Sequence, residues 1–471
     1  MALLSRLSAA LSLSLALSTT AWALTPTPGG GPPSHSHLNK TNTALPPSQD
    51  PFYAMPGWAR NVEPGTILRH RHLPSNLSAF GQPLDSSLVQ YSQQILYRTT
   101  GHHGTPISSV LTVLVPPNAD YGKVVSLQVA EDTASVDCAP SFGFLAAVAD
   151  YPQLESPTVQ VHLLMIQALL DRRWIVIVPD TAGPRAVYPP SKPAAHAVLD
   201  GVRAALNSNP FTQIHRNASV ALWGYSGGGA ETMAAVQVRP SYAPDLLNNV
   251  VGAALGGTTA PTTREAPSAA ESLAVLNKGP SASFIPVTLL GLTAYSSRLR
   301  QTLNSLLKPE SRAQFYLPLH QCHDANKRTF KDQDILSLFV DRQRIMEFFT
   351  GVLDSTAKFD WAPQSPQLYW YQLASDHLID PQKISQVVQR WCSLGSHIEF
   401  QLETSSRYTH AAYGLIAVPS VLRWLSGVLE GTQLKGQCTN STVLTPRLDP
   451  SFLNLFPETL QTKMVGFVGG E

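Results

Sequence analysis

The spacing of apolar positions changes period several times along the chain, and each change marks an element. Residues 88–98 and 107–115 alternate with period two on either side of a turn at 99–104, which predicts two strands ahead of Pro116-Pro117. Shorter apolar runs at 124–130, 174–178, 219–223 and 250–255 predict further strands. Between them, 159–170, 194–206 and the stretch from Ala230 to Val238 carry apolar residues at helical spacing. Strands that alternate with helices of this length predict βαβ units and a mostly parallel sheet.

The alternation stops at Gly256-Gly257. From 258 to about 360 the pattern is mostly helical, as at 269–276, 294–307 and 335–352, and contains no convincing central strand. In an α/β sheet such an insertion would lie over the C-terminal edge as a lid; the alternative is an independent helical domain. Sheet-like pattern resumes at 367–373, a helix is expected at 381–394, a strand at 397–402 and a last amphipathic helix at about 413–429. The expected organisation is a signal peptide at 1–23, a flexible linker rich in Pro, Gly, Ser and Asn at 24–50, and a core in two parts, 51–257 and 361–430. These two parts flank the insertion at 258–360, and a C-terminal tail at 431–471 packs over a groove as a flap or fills the edge of the fold.

Composition narrows the compartment and the partners. Of 471 residues, 43% are apolar and only 14% charged, with a formal net charge of +1, so no electrostatic attraction to nucleic acid or to an anionic membrane is implied. Arg6 precedes an apolar run from 7 to 17, and Ala21-Trp22-Ala23 supplies small residues at a cleavage site, the pattern of a secretory signal. Secretion makes the four cysteines, Cys138, Cys322, Cys392 and Cys438, candidates for two disulfides, with three connectivities open. Four sequons, at Asn39, Asn76, Asn217 and Asn440, fit the same route, with Asn217 close enough to a strand to be shielded. His102 and His103 sit in a turn without nearby partner ligands; no metal site and no cofactor is expected.

Residues 220–230 carry the chemistry. An apolar strand runs into Gly224-Tyr225-Ser226-Gly227-Gly228-Gly229, and a helical pattern follows at once. Strand, sharp turn and helix around Gly-x-Ser-x-Gly are the grammar of a nucleophile elbow, whose glycines let neighbouring backbone pass close to the serine. A serine hydroxyl needs a base to take its proton and a carboxylate to orient that base. In the α/β-hydrolase order the acid follows the serine and the histidine comes last. Asp376 lies just past the strand 367–373, with Asp380 as competitor because it could instead start the next helix; Asp360 precedes the strand. His410 lies between the last strand and the last helix, whereas His397 opens a strand and His377 adjoins the acid. An oxyanion hole would take one donor from the backbone N–H of Gly227 and a second from the loop Glu131-Asp132-Thr133, where a carboxyl donor would have to be protonated by burial.

Together these residues resemble the fungal secretory lipase family, of the yeast lipase A type. The likeness rests on the Gly-Tyr-Ser-Gly-Gly elbow, on a strand ending in Gln-x-x-Glu-Asp at 128–132, and on Asp137-Cys138-Ala139-Pro140-Ser141 just after it. Pro179-Asp180 and the late Asp-then-His order also match, and the likeness spans about 50–430. The resemblance implies an α/β-hydrolase fold with an inserted helical cap, Ser226 as nucleophile, Asp376 as acid, His410 as base, and Asp132 with Gly227 at the oxyanion hole. It also implies the pairings Cys138 with Cys322 and Cys392 with Cys438. Two stretches depart from the pattern: the short step from His410 to Gly414, and Gly229 where a small residue with a side chain is usual.

The expected function is a secreted serine ester hydrolase, first as a lipase on acylglycerols and second as an esterase that deacetylates a secondary metabolite of the trichothecene type. A catalytically inactive hydrolase-fold binding protein and a peptidase are the readings from other classes. Small-molecule or lipid esters are the expected partners, with transient contact at a lipid interface and no obligate protein partner.

Overall fold

The computed structural model describes residues 44–189, 191–258, 275–356, 366–432 and 438–445. Ten strands form one sheet: β1 Ile67–His72, β2 Tyr91–Thr100, β3 Pro106–Val115, β4 Asp120–Gln128, β5 Trp174–Pro179, β6 Ser219–Tyr225, β7 Val250–Gly256, β8 Gln367–Leu373, β9 Ile398–Glu403 and β10 Thr439–Val443. Their spatial order is β1-β2-β3-β5-β4-β6-β7-β8-β9-β10. The first three pair antiparallel, β3 meets β5 antiparallel, and every later neighbour is parallel.

The central strands are buried on both faces. Along β6 the side chains alternate: Val220 and Leu222 enter one hydrophobic cluster, and Ala221, Trp223 and Tyr225 enter the other. Helices Lys192–Asn207 and Gly227–Tyr242 contribute to the first cluster; His162–Leu170 and Val418–Leu429 contribute to the second. Each Val, Leu or Ile withdrawn from water in this way contributes about 1.5–3 kcal/mol. This is an α/β-hydrolase fold, with a mostly parallel sheet flanked by helices. Because β4 lies between β5 and β6, the chain runs from β4 to β5 on one side and then crosses to β6 on the other, and the C-terminal ends of strands at such a switch are where α/β folds place ligands.

The described part of the stretch between β7 and β8 is helical, with Phe284–Leu292, Ser297–Leu306, His323–Phe330 and Arg342–Thr356 as its longest helices. It adds no strand to the sheet and packs around its own apolar cluster, which includes Ile285, Leu289, Leu303, Phe315 and Phe330. The disulfides are Cys138–Cys322, which ties the loop after β4 to this stretch, and Cys392–Cys438. The Cys138–Cys322 bond spans 184 residues, and restricting so long a loop in the denatured chain favours the fold by roughly 5 kcal/mol.

Several expectations need correction. Residues 44–50, assigned to the linker, are packed: Ala44 is buried, the Ser48 N–H and hydroxyl both donate to Asp137, and Asp50 pairs with Arg71 at 2.7 Å. Of the two readings of the tail, flap or edge, residues 439–443 take the edge: they form β10, the last strand of the sheet, parallel to β9. The helix expected at 413–429 is two helices, His410–Ile416 and Val418–Leu429, bent by 47°, with Pro419 opening the second. β1, whose sequence carries two arginines and two histidines and no clear alternation, is absent from the pattern-based expectation. Asn217 is exposed, not shielded, as are Asn76 and Asn440; Asn39, the segment 1–23 and Asp360 lie outside the described residues.

Candidate active site

Ser226 follows β6 directly and precedes helix Gly227–Tyr242, with its backbone at φ 56° and ψ −121°. A non-glycine residue in this region is strained by about 1–3 kcal/mol, so its surroundings must impose it. A Cβ on Gly224 would stand 2.1 Å from the Gly228 carbonyl oxygen, and one on Gly228 would stand 2.1 Å from that of Gln128. Strand, turn and helix therefore close on one another through glycine alone. The Ser226 N–H donates to the Gly256 carbonyl at 2.9 Å, and the Thr232 hydroxyl donates to Gln128 Oε1 at 2.8 Å, anchoring the elbow to β7 and β4.

His410 opens the helix His410–Ile416, whose first turn is capped by the Thr409 hydroxyl accepting from the Ala412 N–H. Its Nε2 lies 2.9 Å from Ser226 Oγ and its Nδ1 lies 2.8 Å from Asp376 Oδ2. A carboxylate only accepts, so Nδ1 carries the proton and Nε2 is left to accept from the serine. Asp376 Oδ1 accepts from the N–H groups of Leu378 and Ile379 at 2.9 and 3.1 Å, and Gln372 Nε2 donates to Oδ2 at 3.2 Å. Burial alone would raise this carboxyl, but the bond and charge of His410 and the two N–H donors outweigh it and hold Asp376 below its ordinary value. Between Asp376 and Asp380 the geometry decides: Asp380 caps helix Pro381–Ser393 by accepting from the N–H groups of Gln382 and Lys383. His377 and His397 are exposed.

Asp132 ends the excursion after β4 in left-handed backbone, φ 46°. Its Oδ1 is 2.9 Å from the point where a Cβ on Gly227 would stand, so the carboxyl faces the residue after Ser226. Burial raises the Asp132 carboxyl above its ordinary value, against the opposing charges of His323 and His410 and the influence of the Tyr188 hydroxyl. A carboxyl kept neutral can donate, which is what an oxyanion requires beside the Gly227 N–H. Behind it, burial pushes Glu131 far above the ordinary carboxylate range and Glu231, on the elbow helix, up to about 8. Asp180 is pushed up to about 7, also by burial, although the Ser141 N–H and hydroxyl both donate to it.

The structure thus brings Ser226, His410, Asp376, Asp132 and Gly227 together. It also reveals residues that the sequence did not single out. Tyr225 donates its hydroxyl to the His410 carbonyl at 2.6 Å and lays its ring 5.1 Å from the imidazole. The departure at Gly414 has its reason here, since a Cβ there would meet the Tyr225 ring at 2.7 Å. Gly229 sits against the Gly256 carbonyl and Thr258, at the end of β7. The Tyr225 signal was available in the aromatic beside the serine; Tyr188, Glu231 and Gln372 act through tertiary contacts that no local pattern marks.

Among the described residues no group of His, Cys, Asp or Glu is arranged to hold a metal. A cavity of about 500 Å³ lined by Glu63, Arg203, Arg216, Tyr242 and Asn249 lies near the starts of β6 and β7, the opposite end of these strands from Ser226. No single described helix is long and apolar enough to cross a membrane.

Comparison with known proteins accords with this geometry. The family described as "Secretory lipase" matches residues 150–436. "Lipase A" of Arthroderma benhamiae is 33% identical over 430 residues, which cover 90% of this chain and 88% of that protein. The chain belongs to the secretory lipase family. Other relatives of this secretory lipase include "Lipase 2" of Candida albicans, 32% identical over 90% of this chain and 92% of that protein. "Probable trichothecene esterase SAT6" of Stachybotrys chartarum is 31% identical over 82% of this chain and 77% of that protein. Among solved structures, Candida antarctica lipase A in its closed state superposes with a TM-score of 0.72 at 24% identity, covering 90% of this chain and 95% of that one, a likeness of fold.

Proposed function

We propose that this secretory lipase is a secreted serine ester hydrolase that cleaves acylglycerols through an acyl-enzyme. The observation that carries the reading is the continuous hydrogen-bonded path from Ser226 Oγ through His410 to Asp376, at 2.9 and 2.8 Å. Ser226 Oγ attacks the ester carbonyl carbon while His410 Nε2 takes its proton, and the imidazolium formed is stabilised by ionised Asp376. The carbonyl oxygen becomes an oxyanion facing the Gly227 N–H and the Asp132 carboxyl. Collapse breaks the bond to the alcohol, which leaves with the proton from His410. Water, deprotonated by His410, then attacks the acyl-Ser226 carbonyl and releases the acid.

The described part of the helical insertion, 275–356, serves as the lid over this site in this reading, supported by its attachment through Cys322 to the loop that carries Asp132 and by its apolar interior. Contact with a lipid surface is supported by apolar side chains presented to solvent: Leu378, two residues from Asp376, and Leu317 and Val340 on the insertion. Extracellular placement is supported by the secretory family, the two disulfides and the apolar N-terminal run.

The test is an ester series with one fixed alcohol, from acetyl to palmitoyl. Each methylene moved from water into an apolar channel contributes about 0.8 kcal/mol, so a lipase gains catalytic efficiency over several carbons. The expected optimum is at medium to long acyl chains, with turnover of emulsified triacylglycerol. A sharp maximum at acetyl without activity on the emulsion would overturn the lipase reading in favour of a secondary-metabolite esterase.

A further inference from the structure

His410 is presented by the loop 404–409, which leaves the end of β9 and runs into the helix His410–Ile416. At that end the sheet forks. The ladder between β9 and β10 has its last pair at Glu403 and Val443, and one more backbone bond, from the Thr404 N–H to the Val443 carbonyl at 2.9 Å, closes it. Beyond this point the two chains part, and the next N–H groups need partners from outside the ladder. The fully buried Glu403 side chain fills the fork. Its Oε1 accepts from the Ser405 N–H and its Oε2 from the Thr445 N–H, both at 2.9 Å, and Oε2 also accepts from the Thr445 hydroxyl. A second tie spans the fork, since the Tyr408 hydroxyl donates to the Thr445 carbonyl at 3.0 Å. The Ser405 carbonyl accepts from the hydroxyl of Ser375, the neighbour of Asp376, at 3.1 Å, and the Glu403 carbonyl accepts from the Ala374 N–H at 2.8 Å. The end of β10, the loop before His410 and the turn before Asp376 thus meet around one carboxyl.

We propose that Glu403 is a positioning residue, which clamps the loop before His410 to Thr445 at the end of β10 and so sets where the imidazole stands between Ser226 and Asp376. The inference rests on the ester-hydrolase reading. His410 has to meet two partners at once, Ser226 Oγ at 2.9 Å and Asp376 Oδ2 at 2.8 Å. On the side of the elbow its backbone is held by the Tyr225 hydroxyl, which donates to the His410 carbonyl. On the side of β9 it hangs on the loop 404–409, which is neither helix nor strand. The bonds at Ser405 and Tyr408 take the slack out of that loop near both of its ends. A shift of about 1 Å at such a group is enough to cost roughly 100-fold in rate, so the clamp acts on turnover without touching substrate.

A carboxyl suits this place because donors from both branches of the fork converge on it and both of its oxygens accept. An amide of the same shape accepts on one side only and would set its own N–H against that of Ser405 or Thr445. Thr445 is a fixed post for the clamp. The strand before it is laddered to β9, and the Cys392–Cys438 disulfide fastens its start to helix Pro381–Ser393. The C-terminal strand, far from the elbow in sequence, thereby takes a part in placing the catalytic histidine.

The experiment is steady-state kinetics of full-length variants, with kcat expressed per Ser226 titrated to completion by a fluorophosphonate. A merely structural defect lowers the number of titrated sites and leaves kcat per site unchanged; misplacement of His410 lowers kcat per site. The expected result is a roughly 100-fold fall in kcat per site for Glu403→Gln and a roughly tenfold fall for Thr445→Val, with KM within about twofold of wild type. Thr445→Ser, which restores the hydroxyl, should restore kcat. The pair Glu403→Gln with Thr445→Val should cost little more than Glu403→Gln alone, because both break one clamp. Wild-type kcat per site in Glu403→Gln or Thr445→Val, a loss carried by KM, an equal loss in Thr445→Ser, or full additivity of the pair would each overturn the proposal. If Glu403→Gln is not secreted, the two Thr445 variants decide alone. A labelled wild type with unchanged Thr445→Val sinks this inference alone, whereas an unlabelled Ser226 in the wild type sinks the hydrolase reading beneath it.

Discussion

Ser226 and Asp132 follow the C-terminal ends of neighbouring parallel strands, and both hold non-glycine backbone in the left-handed region, at φ 56° and 46°. The means of holding them differ. Ser226 is fixed by its own sequence neighbours: Gly224 and Gly228 are so close that no side chain fits between strand and helix. Asp132 is fixed from a distance. The disulfide between Cys138 and Cys322 fastens the loop that carries it to the insertion. Glu131 beside it accepts from the Ala182 N–H and the Thr181 hydroxyl at 3.3 and 3.4 Å. A nucleophile turn can thus be specified locally, while a neutral carboxyl donor needs a dry environment that several segments must assemble.

The largest expected effect tests the nucleophile side. Asp376→Ala should lower kcat by roughly ten-thousandfold, since His410 then loses the partner that sets its tautomer and stabilises its charge. Turnover within about tenfold of wild type would remove Asp376 from the charge relay.

The contrast between local and distant support also explains what the sequence made legible. The elbow, the parallel strands and the order of Ser226, Asp376 and His410 follow from short-range patterns: glycine spacing, apolar runs and the loops after strands. The disulfide pairing and the oxyanion role of Asp132 come from a family resemblance; the structure forms both disulfides and turns the Asp132 carboxyl towards Gly227. What escaped was set by tertiary context. Strand β10 is exposed along most of its length and carries polar residues, so no alternation announces it; it is held by its ladder to β9 and by the bond from Cys438 to Cys392. Residues 44–50 read as a linker by composition, yet Asp137 and Arg71 bind them. The bend near Ala417 leaves no mark in the pattern, because apolar spacing continues across it while Pro419 removes a backbone donor.

The second effect lies on the oxyanion side and is read in stability. Glu231 and Asp180 are buried with folded pKa values raised to about 8 and about 7, from 4.5 and 3.8. A raised carboxyl means that the folded state binds more protons than the unfolded state between the two values, so stability is full below the unfolded value and is lost as pH rises through the folded one. Wild-type Tm should therefore fall as pH rises from about 4.5 to about 8. Glu231→Gln cannot ionise, so its Tm curve should be flatter across that window. Parallel curves for the two proteins would show that Glu231 is ionised in the fold and that the dry pocket is not what keeps these groups neutral.

The smallest effect separates the two neighbouring carboxylates. Asp380→Ala removes a helix cap and should cost about 1 kcal/mol of stability with kcat unchanged. A large loss of kcat there would move the acid from Asp376 to Asp380.

The central claim is that the elbow serine is a nucleophile activated by His410, and it is tested most directly by treating the folded, secreted protein with a fluorophosphonate and mapping the adduct by mass. The account predicts one adduct, on Ser226, formed at a rate that falls by orders of magnitude in His410→Ala. No adduct on the folded protein, an adduct on another serine, or equal labelling without His410 would contradict it.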